Sequence, residues 1–125
     1  WSIEEWSGVD TSGTDGSGAI VQSATAQSAS AASLTVTLAA FGSATNAAAA
    51  GFMRGSAGSG WTPETGYTTM QDYGAGLMFS ATEYKLSEDT TPSGSWTADL
   101  CAGIAVEIKR GQNLNVYAAG LYERV

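Results

Sequence analysis

Ser33-Leu34-Thr35-Val36-Thr37-Leu38 alternates without a break: Leu34, Val36 and Leu38 fall on one side of an extended chain, Ser33, Thr35 and Thr37 on the other. Side chains on a strand point to opposite faces in turn, so this stretch reads as a half-buried strand with one wet face. Residues 98–109 repeat the pattern. Ala102, Ile104, Val106 and Ile108 alternate with Cys101, Gly103, Ala105, Glu107 and Lys109, and the bulkier set, like the Leu34/Val36/Leu38 row, forms an apolar face whose burial can drive association.

Weaker signals of the same period lie on either side. Residues 1–7 read as a short strand with Trp1 and Ile3 on one face and Trp6 on the other. Residues 19–26 and 67–73 read as strands. Residues 77–86 form a longer one, with Leu77, Phe79 and Ala81 opposed to Met78, Ser80, Thr82 and Tyr84. The alanine run at 47–50 favours helix on propensity, but it is short and bounded by Gly51 and Gly55. Residues 47–54 are therefore expected as a strand. Residues 113–121 alternate again, with Leu114, Val116 and Ala118 on one face. Residues 8–18, 56–66 and 87–93 carry the Gly, Asp and Ser of turns. About eight strands at even spacing, with no three-turn amphipathic helix, define an all-β antiparallel sandwich.

Composition narrows the function. A chain of 125 residues holds one domain. Only 14% of it is charged, so Ser, Thr, Gly and Asn supply the polar surface. That balance suits extracellular β-proteins and virion or filament proteins. A net charge of −7 argues against nucleic acid and anionic membranes as partners. No stretch approaches the roughly 20 apolar residues of a membrane span. Histidine is absent, which removes the commonest general base and zinc ligand. The lone Cys101 lies in an apolar run and reads as a small buried hydrophobe. The chain opens on Trp1, which suggests a removed leader or a piece of something longer.

Glu5-Trp6-Ser7-Gly8-Val9-Asp10, Asn46-Ala47-Ala48, Gly60-Trp61-Thr62, Glu83-Tyr84-Lys85 and Ala105-Val106-Glu107-Ile108-Lys109 follow one another in an order that resembles a jelly-roll or lectin-like sandwich domain of bacterial secreted and tailed-phage structural proteins. The resemblance spans roughly residues 1–109 and implies a β-sandwich in an extracellular or virion setting, with no catalytic residues to carry over. It also implies that this chain corresponds to the later part of such a sandwich, with residues 110–125 as an added strand or tail. A sandwich short of early strands exposes an unpaired edge and an open apolar face. A neighbouring copy could complete it, with Leu114, Val116 and Ala118 on the exchanged strand; the alternative is that the tail pairs within its own chain.

Few residues suggest chemistry. Glu83 and Glu107 could approach each other across strands as a glycosidase pair, but Lys85 and Lys109 follow on the same faces and suggest cross-strand ion pairs instead. Asp10, Ser12, Thr14 and Asp15 place oxygens in one loop without EF-hand spacing, so no metal or other cofactor is expected. Trp61, Tyr67 and Tyr73 lie in or beside loops, where flat rings could stack on sugars; the competing reading makes Trp61 and Trp96 plugs at the sandwich ends. The expectation is a non-catalytic structural module that associates with copies of itself or other subunits, with surface-glycan binding as the alternative.

Overall fold

The computed structural model of the chain describes residues 3–56 and 60–118, residues 112–118 as backbone alone. Its strands are β1 (Glu4–Val9), β2 (Ile20–Thr35), β3 (Ala47–Arg54), β4 (Thr62–Pro63), β5 (Thr68–Ala75), β6 (Met78–Lys85), β7 (Ser93–Ile108) and β8 (Arg110–Ala118), with one 3-10 turn at Ser17–Ala19. Every pairing is antiparallel. Six strands form the main sheet in the order β2-β7-β3-β6-β5, with β4 joined to β7, and β1 pairs with β8 in a separate ribbon. The protein is an all-β antiparallel sandwich.

The two sixteen-residue strands supply much of the second layer themselves. β2 and β7 pair along their length, but the register shifts between Ile20/Gln22, Ser28/Ala31 and Ala31/Ser33. Such irregularities bend a ribbon and sharpen its twist. Near these shifts the Trp96 indole donates to the Ala31 carbonyl at 3.0 Å. Leu34 and Trp96, further along the ribbon, pack with Ala50, Phe52, Cys101 and Ala105 of the main sheet. Val36 and Leu38 continue the same apolar row outside the ladder, held by amide bonds of 2.9 Å to the carbonyls of Pro92 and Thr90. All three members of the Leu34/Val36/Leu38 row are buried, as their alternation predicts. Each such side chain contributes roughly 1.5–3 kcal/mol.

Residues directly opposite one another in antiparallel strands share a face. The inner face carries Ala24 and Ala26 of β2, Cys101, Gly103 and Ala105 of β7, Ala50 and Phe52 of β3, and Phe79 and Ala81 of β6. The outer face carries Thr25 and Gln27, Ala102, Ile104 and Val106, Ala49, Gly51 and Met53, and Met78, Ser80, Thr82 and Tyr84. The β1–β8 ribbon covers one end of that outer face. There Trp6 and Val9 pack against Ala47, Ala49, Val106, Ile108 and Tyr84, with Trp6 edge-on to Tyr84 at 5.8 Å.

Several expectations need correcting. Residues 19–26 and 33–38 are not two strands: β2 runs through the small polar stretch between them and ends at Thr35. The strand expected over 98–109 starts earlier, and β7 runs from Ser93 to Ile108. On β7 the smaller set faces the core. Cys101, Ala105 and Glu107 are buried, whereas Ile104 of the bulkier set is 49% exposed and only Ile108 of that set is fully enclosed. Volume explains the arrangement. A Cβ added to Gly103 would lie 2.7 Å from the Phe52 ring and 3.2 Å from Val36, so the inner face of β7 must be small to admit large partners. The strand expected over 77–86 begins at Met78 instead: Leu77 belongs to the tip of the β5–β6 hairpin and is 82% exposed. Its turn neighbour Gly76 takes φ 59°, which two-residue hairpin loops require. The alanine run at 47–54 forms a strand with the expected bounds, and Ala47–Ala50 are buried on both faces.

Candidate functional site

Alternation along β3, β6 and β7 leaves the outer face of the main sheet apolar and, away from the β1–β8 ribbon, open. Met53, Met78, Leu100 and Ile104 are each about half exposed. They line a groove built from three adjoining segments. The largest, about 760 Å³, lies over Thr25, Gln27, Met53, Thr82, Ala102 and Ile104. A segment of about 460 Å³ extends it past Met78 and Leu100 toward Arg54 and Gly55. The third, about 210 Å³, runs to Val106 and ends against Glu4 of β1. Exposed contiguous apolar surface of this kind marks an interaction site.

The inner face holds a different chemistry. Glu83 and Glu107 are both wholly buried there. They do not face each other: Glu107 is on β7, Glu83 on β6, and β3 runs between. Glu107 sits opposite Ala48, and Glu83 sits opposite Ala50. Nor do the lysines pair with them. Lys85 binds Asp89 at 2.9 Å, and Lys109 binds Asp10 at 2.6 Å. The expected cross-strand ion pairs are thus made with loop aspartates.

Glu107 is satisfied three times. Its Oε1 accepts from the Gly42 amide at 2.9 Å and the Asn46 side-chain amide at 2.6 Å; its Oε2 accepts from Gln22 at 2.7 Å. Gln22 also exchanges two bonds with the Ala39 backbone, and Asn46 accepts from the Arg110 amide. The network pins residues 39–46 onto the sheet. Glu83 is its opposite. Neither of its oxygens meets a well-aligned donor, and burial pushes its carboxyl up to about 8; the Glu64 backbone offsets part of this, while the charges of Glu64 and Asp89 add to it. Tyr67 lies in the same region with a buried, unpartnered hydroxyl raised above its ordinary range by burial and by the charges of Asp89, Glu64 and Glu83.

The three aromatics singled out from sequence do not form one platform. Trp61 stacks on Trp96 at 5.7 Å and 16° and touches Phe52 at 5.4 Å, which makes it part of the inner core. Gly94 lies directly under its ring, where a Cβ would collide. Tyr67 is buried beneath the Lys85 ammonium, 5.6 Å from the ring centre. Tyr73, 61% exposed, stands alone opposite Ser80 on the outer face. The backbone at Leu114, Val116 and Ala118 belongs to β8, which pairs with β1 of the same chain through Trp6↔Val116 and Glu4↔Ala118; the side chains at these positions, and residues 119–125 of the expected tail strand, lie outside the described residues.

In the loop at residues 10–18, Asp10 accepts from the Ser12 amide at 2.7 Å. The hydrogen-bonded Lys109 ammonium, together with Ser12, holds its carboxyl well below the usual range. Among the described residues no three His, Cys, Asp or Glu side chains converge on a metal position. No helix among them is long and apolar enough to cross a membrane. Cys101 is buried, and burial raises its thiol. Sequence reasoning read Ala102, Ile104, Val106 and Ile108 as one apolar association face, but did not anticipate that the β1–β8 ribbon covers Ile108 while Ala102 and Ile104 line the groove. It also did not anticipate the Glu107 network, for which the only signal was a set of uncharged amides, Gln22 and Asn46, beside apolar runs. No protein-family model matches the chain, no curated protein is detectably similar to it, and no solved structure matches its fold.

Proposed function

We propose that this chain is a non-catalytic structural module of an extracellular or virion surface assembly, such as a filament, fibre or decoration, and that it associates through the open face of its main sheet. One observation carries the reading: the groove over Gly51, Met53, Ala102 and Ile104 is apolar and, among the described residues, uncovered. The described residues that line it include one acid, Glu4 at the rim. Burying such a face yields roughly 25 cal/mol per Å² of apolar surface, which is ample to drive association. The low charge content and the resemblance to secreted and phage sandwich domains support the setting.

Sedimentation velocity from micromolar to millimolar concentration tests it. The wild-type chain associates as concentration rises, and Met53→Glu/Ile104→Glu weakens association about tenfold or more while leaving the fold intact, since both positions are half exposed. A monodisperse monomer at every concentration, with or without other surface proteins of its source, ends the reading. Tyr73, exposed on the outer face, favours a second reading as a carbohydrate-binding adhesion module. Glycan-array binding that is lost in Tyr73→Ala would replace the first reading with the second.

A further inference from the structure

The edges of the main sheet are β2 and β5, and among the described residues no strand pairs with the outer side of either. An open edge is a template for another strand, and proteins usually protect it with charge, proline or a short length. β5 has eight residues and carries Asp72. β2 has sixteen, Ile20-Val21-Gln22-Ser23-Ala24-Thr25-Ala26-Gln27-Ser28-Ala29-Ser30-Ala31-Ala32-Ser33-Leu34-Thr35, with neither charge nor proline. Its irregularities fall at Ile20/Gln22 and beyond Ser28, so residues 22–28 keep an unbroken register with β7.

The distribution of charge says what fits this edge. All 12 acidic and 5 basic residues lie outside residues 16–53. In a chain of net charge −7, two copies repel each other wherever their charged surfaces meet. Residues 20–28 form an exposed hydrogen-bonding edge on which they do not. A strand of another protein with lysine or glutamate would find no counter-charge there, whereas a second copy presents the same uncharged row. The edge is also continuous with the groove, because Thr25 and Gln27 of β2 line it. Antiparallel pairing of two β2 strands about a two-fold axis normal to the sheet keeps both outer faces on one side. The two open grooves then adjoin.

Resting on the assembly reading above, we propose that copies meet at a second joint beside the groove, the β2 edge: residues 20–28 of two chains pair antiparallel and merge two six-stranded sheets into one. Ser23 and Thr25 are exposed and share the outer face. Ser23→Glu/Thr25→Glu sets like charges against each other in both halves of such a joint and should weaken self-association about tenfold. Ser23→Lys/Thr25→Lys should do the same alone, and mixing the two variants should restore a heterodimer. Hydrogen exchange on the wild-type chain gives an independent readout: alternate amides within residues 20–28 should gain protection as concentration rises. A chain that associates while all these amides exchange at a concentration-independent rate, and that is indifferent to Ser23→Glu/Thr25→Glu, overturns the β2 joint and leaves the assembly reading standing. A chain that never associates overturns both.

Discussion

Glu107 and Glu83 occupy the same face of one sheet, both wholly removed from water, yet one accepts from three well-aligned donors and the other has only the poorly aligned Glu64 backbone. Burial alone does not decide what a carboxyl contributes. Glu107 holds two segments, the crossover at 39–46 and β2, against β7. Glu83 gains no such bonds, and its environment favours the neutral form. The first is an internal fastener. The second is a standing penalty that depends on pH.

The comparison is most easily broken at Glu107. Glu107→Ala leaves the buried Asn46 side-chain amide without its acceptor and releases the Gly42 amide and Gln22, which keeps only its Ala39 bonds, and chemical denaturation should show a loss of about 1–3 kcal/mol. Hydrogen exchange should show residues 39–46 released first. Glu83→Gln should act in the opposite direction. The folded carboxyl titrates near 8 against 4.5 for an ordinary glutamate, so folding takes up a proton between those values. The Glu83 contribution to stability is therefore most favourable below about pH 4.5, falls as pH rises through the window and levels above about 8. The Gln variant should lose that slope and be more stable than wild type by about 1–3 kcal/mol at alkaline pH, with no advantage at pH 4. Urea melts at several pH values read both outcomes. Smallest of all, Tyr67→Phe deletes a hydroxyl with no partner and should change stability by less than about 1 kcal/mol, in the stabilising direction if in either.

Much of the architecture was legible in sequence because period-two alternation survives in Leu34/Val36/Leu38 and in 77–86, and because Gly51 and Gly55 keep the alanine run at 47–50 too short for a helix. The illegible parts have physical causes. The stretch from Gln27 to Ala32 has no apolar period, because a ribbon of Ala and Ser bends there and buries little, so β2 was divided. Hydropathy marks Ile104 as part of an apolar face but not which side of the sheet it takes; space on the inner face is claimed by Phe52, Trp61 and Trp96, and only Gly103 and Ala105 fit beneath them. Trp61 resembled a sugar platform because its loop is rich in glycine; one of the glycines it needs, Gly94, is 33 positions away on β7, a relation that no local pattern contains. The distinction between Glu83 and Glu107 was invisible for the same reason: their partners come from residues 22, 42, 46 and 64.

The ribbon of β1 and β8 brings Glu4 opposite Ala118, so the two ends of the described chain lie side by side. Polypeptide attached at both places would depart from one corner of the sandwich. The module could then sit as a self-contained cassette within a longer host chain, entering and leaving through a single doorway, with little entropy lost in closing the host around it.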